Sequence, residues 1–345
     1  MMVTDPNVIE LICTHVDEES SCVRTFKFKP TTAGKFPTYL AGQFITLLIE
    51  IDGVSVRRCY TLSSSPLGDA PQEELAITVK SKEGGQVSTW LHQNMLPGVR
   101  INSLPPAGRF HVSEKTPEKY AFFAGGVGIT PVLSMTRWLA ESGCTLDIVF
   151  IQCASEASEL LFVKELEGYA TKPGFRLHLQ PSRGNNWSGV HGRLTAEGLK
   201  ILIPDFHERQ VLCCGPDGFM SHVQALAQAL GVPNNRYFQE SFEVDTHHYG
   251  DIDETATLEN YTITFSNDGT KVNCRGDQTL LAAARDAGVY IPYSCEAGIC
   301  GSCKVKVTQG QVTGQNDGGL EDGETDQGWT LACCYRPVTD LIIES

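Results

Sequence analysis

Residues 294–303, SCEAGICGSC, place three cysteines in the spacing C-x4-C-x2-C. These cysteines are Cys295, Cys300 and Cys303, and a fourth, Cys333, follows after a long gap. This is the ligand spacing of a 2Fe-2S centre held by four thiolates. Glycines and small residues in the loop would let backbone N–H groups approach the sulfurs and stabilise the reduced cluster. A zinc site is the alternative, but zinc sites favour paired C-x2-C units. The spacing therefore predicts an iron–sulfur cluster.

Cys334 directly follows the fourth predicted ligand. If both residues lie in a strand, their side chains point to opposite faces, and only one of them can face the cluster. The spacing selects Cys333, and we expect Cys334 to be a packed thiol.

The sequence around the cysteine loop has the pattern of a small α+β domain. Residues 261–265 alternate like a strand, residues 276–288 form a capped helical run that ends at a glycine, and residues 341–343 supply a closing strand. With its cysteines, the segment 259–345 resembles a plant-type ferredoxin, and the resemblance implies a β-grasp fold. Glu296 departs from that family, in which Arg often follows the first ligand. We expect this carboxylate to shift the potential or the choice of partner.

Composition narrows the class of protein. The chain has 345 residues, of which 41% are hydrophobic, enough for two or three domains with their own cores. We expect neither a secretion signal nor a membrane span, because no basic n-region or long apolar run is present. Thirteen cysteines without a dense disulfide pattern favour a reducing cytoplasm. A net charge of −14 argues against a nucleic-acid partner and suits docking to a basic protein face, although a solvated acidic surface is equally consistent.

The N-terminal region predicts a β-barrel. Residues 1–113 contain alternating strand-like runs separated by turn residues. These runs are residues 23–28, 43–51 and 75–79.

Residues 114–243 have a different pattern, in which apolar strand runs alternate with helical runs and predict a parallel α/β sheet. The predicted strands are 120–124, 146–152, 176–179 and 211–213, and the predicted helices are 131–140, 158–169 and 218–230. Residues 244–258 are acidic and predict a linker to the ferredoxin-like segment. The adjacent His247 and His248 lack further ligands at metal-binding spacing, so we expect no metal site there.

Residues 58–64, RCYTLSS, match the R-x-Y-[ST]-x-x-S string of the ferredoxin–NADP reductase superfamily. The resemblance implies that Arg58 pairs with the flavin phosphate and that Tyr60 packs on the isoalloxazine. It also implies that Thr61 hydrogen-bonds near flavin N5 and that Ser64 supports the turn. These residue types suit an anion, a flat ring and a proton-exchanging nitrogen. An ordinary strand end with exposed hydroxyls is the alternative.

A glycine turn with the sequence GGQVSTWL follows at residues 84–91. It predicts a helix running to Met95 with Ser88 as its N-cap, and the free N–H groups of that helix start form an anion site suited to a pyrophosphate. By its order and distance from the flavin string the turn resembles the same superfamily, in which Gly85, Val87 and Ser88 would contact the cofactor. The alternative is simply a capped helix.

The stretch AGGVGITP, residues 124–131, lies between an apolar strand and a helix. Glycines at such a junction let the phosphates of a nicotinamide nucleotide approach backbone amides closely. The residues expected to contact the nucleotide are Gly125, Gly126, Val127, Gly128 and Thr130.

A further turn, CCGPDGFM at residues 213–220, follows another strand. The superfamily resemblance places Cys214 beside the nicotinamide C4, with Gly215 and Pro216 in the turn. A buried small thiol is the alternative for Cys214. Residues 240–242, Glu-Ser-Phe, resemble the E-x-F that closes this domain near the flavin, so Glu240 and Phe242 join the predicted site.

Taken together, the resemblance implies an NAD(P)H:acceptor oxidoreductase. A nicotinamide gives two electrons as a hydride, a flavin holds two or releases them singly, and a 2Fe-2S centre passes one. Thr61, Cys214 and Glu240 are the predicted catalytic residues. We expect FAD rather than FMN and NADH rather than NADPH, although Ser182 and Arg183 could bind the 2′-phosphate of NADPH.

The electron acceptor is predicted to be a metalloprotein. The stretches SMTRWL at 134–139 and PDFHER at 204–209 resemble reductase components of glycine-betaine-type Rieske oxygenases, which demethylate their substrates. The strings RWL and GRLT, the latter at 192–195, are also similar to reductases of the hybrid-cluster protein. A third possibility is a non-catalytic redox sensor, against which the intact nicotinamide motifs argue.

Overall fold

The computed structural model describes most of the chain in two compact units. The described residues are 8–31, 36–66, 74–112, 119–143, 145, 147–184, 187–242, 259–267, 269–293, 295–296, 298, 301–316, 319–321 and 323–344. The predicted linker 244–258 and Cys300 lie outside them. One unit takes in residues 1–106 and 110–243, and the other takes in 107–109 and 244–345.

The first unit begins with a six-stranded antiparallel sheet. Its strands are β1 (Ile9–Ser20), β2 (Val23–Pro30), β3 (Phe44–Ile51), β4 (Val54–Thr61), β5 (Leu75–Lys80) and β6 (Arg100–Ser103). They lie in the order β4-β3-β6-β1-β2-β5, and a bridge between Leu62 and Ile77 joins the two edge strands. Apolar residues of alternating strand positions fill the interior, including Phe26, Leu47 and Ile77. The predicted barrel is confirmed.

The same unit continues into a five-stranded parallel sheet of order β11-β10-β7-β8-β9. Its strands are β7 (Tyr120–Gly125), β8 (Ile148–Ala154), β9 (Phe175–Pro181), β10 (Gln210–Cys214) and β11 (Tyr237–Glu240). The helices of this unit are α1 (Gln86–Asn94), α2 (Ile129–Glu141), α3 (Val163–Ala170), α4 (Ala196–Leu202) and α5 (Asp217–Ala229). Apolar clusters cover both faces of the sheet. The predicted α/β architecture is confirmed.

The helix predicted over 158–169 starts later than expected. Residues 157–159 form a single 3-10 turn, in which Glu156 and Glu159 make a capping box. Phe162 then adopts a left-handed backbone with φ of 54°, so α3 begins only at Val163. The two glutamates cap the N–H groups of this short turn. The turn is therefore a separate element that precedes α3.

The second unit is a β-grasp domain, as expected. Its strands are β12 (Asn260–Phe265), β13 (Lys271–Arg275), β14 (Lys304–Gln309), β15 (Val312–Thr313), β16 (Trp329–Leu331), β17 (Arg336–Pro337) and β18 (Leu341–Glu344). Five of them form a mixed sheet of order β13-β12-β18-β14-β16. Helix α6 (Leu280–Asp286) starts at Thr279, whose hydroxyl accepts the Ala282 N–H, and packs its apolar face into the core.

Within the described part of the chain, no helix is both long enough and apolar enough to span a bilayer.

Candidate functional site

The flavin string lies at the end of β4. Arg58 is exposed and donates one hydrogen bond, to the Arg57 carbonyl at 2.9 Å, so most of its guanidinium donors face outward. Tyr60 is partly buried, and burial raises the pKa of its phenol above its usual range. A neutral ring beside an available cation fits a flat aromatic cofactor that carries a phosphate.

Ser64 holds the barrel to the nucleotide-binding sheet. Its hydroxyl lies 2.8 Å from the Tyr39 hydroxyl and accepts the Ala76 N–H at 3.0 Å. Its carbonyl accepts the Ser134 hydroxyl, from α2, at 2.7 Å. One turn further along α2, Arg137 donates to the Ser63 carbonyl at 2.6 Å. The contacts of Ser64 thus also hold α2 against the end of β4.

Arg137 is itself held in place by a second partner. Its guanidinium makes a two-pronged ion pair with the Glu165 carboxylate of α3, with both nitrogen–oxygen distances at 2.7 Å. Such bidentate pairs fix the orientation of the arginine fork.

The helix predicted after the glycine turn is present as α1, but its N-cap was assigned to the wrong residue. Gly85 is the N-cap, and α1 begins at Gln86, so Ser88 already lies in the first turn. The Ser88 hydroxyl accepts the Lys82 N–H at 3.2 Å, which explains why it does not cap the helix. A Cβ on Gly85 would lie 2.6 Å from this hydroxyl and 2.9 Å from the Lys82 carbonyl oxygen, so the backbone there leaves little room for a side chain. Val87 is buried beneath the turn.

The two glycine turns of the nucleotide-binding sheet pack directly on each other. A Cβ on Gly128 would lie 2.4 Å from the Cys214 carbonyl oxygen, and one on Gly215 would lie 2.9 Å from the Gly125 Cα. Gly126 adopts a φ of 54°, in the left-handed region that favours glycine. These glycines bring the two turns together where the strands end.

Thr130, in the first turn of α2, is buried and donates its hydroxyl to the Val127 carbonyl at 3.2 Å. This bond stiffens the backbone of the turn. Thr130 therefore stabilises the turn from its buried side.

The three predicted catalytic residues come from three strands and meet in one place. Parallel pairing of β10 with β11 sets Cys214 opposite Glu240. The Thr61 hydroxyl, at the end of β4, is close enough to the Glu240 carboxyl, at the end of β11, to lower the pKa of that carboxyl slightly against the effect of burial. Glu240 is only 6% exposed, and burial raises the pKa of its carboxyl to about 8. Its Oε2 atom has no hydrogen-bond partner among the described residues.

Cys214 is fully buried in the described structure. Burial, with the nearby Glu240 carboxylate, holds the pKa of its thiol well above its usual range. The thiol is therefore neutral and packs among apolar residues, as the alternative interpretation expected. Such a group can shape a site by contact, but it is not a thiolate nucleophile.

Phe242 ends the described residues of this unit and is 43% exposed. The preceding Ser241 donates its hydroxyl to the Asp217 carboxylate at 2.9 Å, which holds the segment after β11 against the start of α5.

A cavity of about 500 Å³ lies over the ends of the parallel strands. Predicted residues on its wall are Gly125, Gly126, Val127 and Pro216. The cavity is also lined by Ser182, which the sequence suggested as a contact, and by Arg193, which it did not. A crevice at the carboxyl ends of parallel strands is where open α/β sheets bind nucleotides.

The second unit carries the predicted cluster ligands. Cys303 and Cys333 are 3% and 2% exposed, and their sulfurs lie 3.2 Å apart. Two thiolates bound to one tetrahedral metal at about 2.3 Å are separated by about 3.8 Å, so these two sulfurs would move apart by about 0.6 Å to share an iron. Cys295 is partly buried.

The backbone near these sulfurs depends on glycine. Gly301 has a φ of 72°, and a Cβ there would lie 2.7 Å from the Gly319 carbonyl oxygen. Gly319 donates its N–H to the Gly298 carbonyl at 2.8 Å. The close approach matches the tight, amide-lined cradle that an iron–sulfur cluster requires.

Cys333 and Cys334 do not lie in a strand, contrary to the prediction. Strand β16 ends at Leu331, so Cys333 and Cys334 lie in a turn, and their sulfurs are 3.4 Å apart. The two side chains therefore do not point to opposite faces. The spacing argument for Cys333 as the ligand is unaffected.

Glu296 adopts a left-handed backbone and forms an ion pair with Arg285 of α6 at 3.0 Å. Arg285 also lies over the Tyr293 ring, at 4.6 Å from its centroid. The carboxylate that departs from the ferredoxin pattern is thus paired with a neighbouring guanidinium.

Comparisons with protein families divide the chain in the same way as the fold does. A model for the oxidoreductase FAD-binding domain matches residues 10–112, and one for the oxidoreductase NAD-binding domain matches residues 122–225. A model for the 2Fe-2S iron-sulfur cluster binding domain matches residues 263–338.

Relatives match from end to end. The chain is 35% identical to the glycine betaine monooxygenase reductase subunit of Chromohalobacter salexigens, over 96% of this chain and 94% of that protein. It is 36% identical to the stachydrine N-demethylase reductase subunit Stc4 of Rhizobium meliloti, over 97% and 96%. The structure of phthalate dioxygenase reductase shares the fold, with a TM-score of 0.59 at 22% identity and 98% coverage of each chain.

The fold and the site define an NAD(P)H-dependent oxidoreductase of the ferredoxin reductase type that carries a flavin and an iron–sulfur cluster. Its cofactors are FAD, a nicotinamide dinucleotide and a 2Fe-2S cluster. The chain belongs to the family of FAD-, NAD- and 2Fe-2S-binding reductases that includes these reductase subunits.

Proposed function

We propose that this protein passes electrons from NADH, through FAD and its 2Fe-2S cluster, to the oxygenase component of a demethylating Rieske-type system. The observation that carries the proposal is the end-to-end match to two reductase subunits, one named for glycine betaine and the other for stachydrine demethylation. The meeting of Thr61, Cys214 and Glu240 supports it, because these residues come from distant parts of the chain.

When bound, the nicotinamide supplies a hydride, the flavin accepts two electrons and releases them singly, and the cluster carries one. The chain's own residues bind, orient and protonate. Arg58 and the first turn of α1 would hold the flavin phosphates by charge and by free N–H groups. Tyr60 would pack on the flavin ring, and Phe242, after the end of β11, would close the site.

Glu240 and Thr61 form a proton relay. At neutral pH the Glu240 carboxyl holds a proton, because its pKa is about 8. The Thr61 hydroxyl lies beside that carboxyl and would pass a proton between it and a bound flavin. Cys214, neutral and buried, would contact the bound nicotinamide from beneath.

The cluster ligands are Cys295, Cys300, Cys303 and Cys333. The domains that follow from these roles are an FAD-binding domain at 1–113, a nucleotide-binding domain at 114–243 and a ferredoxin domain at 259–345. The acidic segment 244–258 links the last two. None of the eleven described cysteines is in a disulfide, and three of them are the proposed cluster ligands. The location we propose is the reducing cytoplasm, where thiols are kept reduced.

A hybrid-cluster protein is the second candidate acceptor. It is suggested by the strings RWL and GRLT. Another relative, the NADH oxidoreductase HCR of Escherichia coli, is 29% identical over 95% of each chain. The oxygenase candidate is preferred because the reductase subunits of oxygenases and demethylases are more similar to this chain.

The test has two stages. Anaerobic stopped-flow mixing with NADH should bleach the flavin first and the cluster second. The reduced protein should then support turnover by a purified demethylating Rieske oxygenase. Fast electron transfer to a hybrid-cluster protein, with none to such oxygenases, would replace the first candidate by the second.

A further inference from the structure

The nucleotide cavity contains an arginine whose role the sequence did not indicate. On one side of the cavity lie the glycine turn at Gly125–Val127 and Pro216. On the other side lie Ser182, at the end of β9, and Arg193. Arg193 is part of this second wall, and Arg183 follows Ser182 in the sequence.

Arg183 is already engaged. Its guanidinium pairs with the Glu156 carboxylate at 3.0 Å, and its side chain is 68% exposed. Its N–H donates to the Ser155 carbonyl at 3.0 Å, which fixes the backbone beside the end of β8. Ser182 lines the cavity, whereas Arg183 does not. Arg183, which the sequence suggested as a phosphate contact, is thus an exposed side chain that pairs with a carboxylate.

Arg193 has the opposite properties. It lines the cavity and makes no ion pair with any residue that the structure describes. Its neighbours are anchored on both sides. Gly192 donates to the Pro181 carbonyl at 3.0 Å and accepts from the Gln180 amide at 3.1 Å, and the Leu194 carbonyl lies 2.8 Å from His222 Nε2. The main chain therefore presents this guanidinium from a fixed position.

Two other charged groups line the cavity among the described residues. Glu159 accepts the N–H groups of Ser155 and Glu156 at 3.1 and 3.2 Å, so its charge is directed at backbone donors. Lys80 lies on the barrel side, at the end of β5. An arginine can bind a phosphate with two parallel hydrogen bonds, whereas a lysine acts as a point charge.

We propose that Arg193 binds the pyrophosphate of the nicotinamide dinucleotide and that Glu156 keeps Arg183 from doing so. This inference rests on the proposed function, because it assumes that the cavity holds the dinucleotide. The pyrophosphate is favoured over a 2′-phosphate because the Gly125–Val127 turn, which suits close approach of phosphates to backbone amides, lines the same cavity.

The test compares Arg193→Ala, Arg193→Lys and Arg183→Ala in the holoenzyme. Lys200→Ala, which removes an exposed positive charge on α4 away from the cavity, is the matched control. Binding of ADP-ribose by titration calorimetry provides a readout that does not depend on flavin reduction. We expect Arg193→Ala to weaken ADP-ribose by about tenfold or more, the loss of a charge-assisted bond. Arg193→Lys should recover part of the loss, and the other two variants should change affinity by less than about twofold.

Stopped-flow flavin reduction adds a second readout. In Arg193→Ala the apparent Kd for NADH should rise while the limiting reduction rate is kept. Unchanged ADP-ribose affinity in Arg193→Ala, or an equal loss in Arg183→Ala, would overturn the inference. A loss confined to the 2′-phosphate form of ADP-ribose would overturn the pyrophosphate assignment. Failure of the wild type to reduce its flavin with NADH would instead refute the proposed function and leave the binding result to be read separately.

Discussion

Replacing Glu240 with Gln should change how the stability of this protein depends on pH. The folded-state pKa of the Glu240 carboxyl is about 8, against 4.5 as its usual value. Between these values the folded protein keeps a proton that the unfolded chain releases. Folding is then linked to proton uptake, and the stability contributed by this group falls as pH rises. Gln cannot ionise, so the variant lacks this dependence.

The size of the effect follows from the two pKa values. Linkage gives a loss of about 1.4 kcal/mol for each pH unit between them. The pH dependence becomes shallower close to each pKa. The wild type should therefore lose about 2 kcal/mol from this group between about pH 6 and pH 8. The buried Gln amide, placed where Glu240 Oε2 has no partner among the described residues, adds a cost that does not vary with pH.

Urea unfolding of both holoproteins, followed by circular dichroism at the two pH values, measures this directly. Because every other titrating group is common to both proteins, the difference in unfolding free energy isolates Glu240. We expect the wild type to lose about 2 kcal/mol relative to Glu240→Gln on going from about pH 6 to pH 8. A difference that stays constant would show that Glu240 ionises normally and would refute the proton relay.

Three further predictions concern other parts of the structure. Cys333→Ser should remove the visible absorbance of the 2Fe-2S cluster, whereas Cys334→Ser should keep it, because only the former has the ligand spacing. Gly128→Ala should lower the free energy of unfolding by about 2 kcal/mol or more, measured by thermal melting, because its Cβ would lie 2.4 Å from a carbonyl oxygen of the facing turn. Glu156→Gln should release Arg183 and raise kcat/KM for NADPH relative to NADH by about tenfold, measured by steady-state flavin turnover.

Each of these has a control or an outcome that contradicts it. Gly218→Ala, in a helix where the added Cβ meets nothing within 4 Å, should be neutral or slightly stabilising. Equal losses in the two glycine variants would show that the close approach of the turns is unimportant. A cluster that survives in Cys333→Ser would mean that the adjacent thiol can replace it, and an unchanged nucleotide preference in Glu156→Gln would show that its ion pair does not select the coenzyme.

Local patterns predicted the features of this protein that depend on short stretches of chain. The flavin string lies at a strand end and the glycine turns lie at strand ends or helix starts, as predicted, because turns and strand ends have direct sequence signals. Ser88 was misplaced because Gly85, three positions earlier, is the N-cap, and the serine hydroxyl accepts the Lys82 N–H instead. The Cys334 argument failed because it assumed a strand where the chain turns.

Long-range contacts were beyond such reasoning. That Thr61 meets Glu240 depends on how β4 and β11 come together in one unit, and family resemblance alone brought both residues into the predicted site. Which of Arg183 and Arg193 is available to a ligand depends on the ion pair between Arg183 and Glu156, which are 27 residues apart in the chain. No local signal distinguishes a paired arginine from an available one.

The bonds from α2 to the ends of the flavin strand have a consequence for how this protein can be recombined. Ser134 and Arg137 fasten the nucleotide-binding sheet to the Ser63 and Ser64 carbonyls, and Arg137 is braced by Glu165. Hydride transfer requires the reacting atoms to be held about 3–3.5 Å apart. A chimera that exchanges only residues 1–113 or only residues 114–243 would replace one side of these bonds without the other. The barrel and the parallel sheet should therefore be inherited, and engineered, as a single cassette.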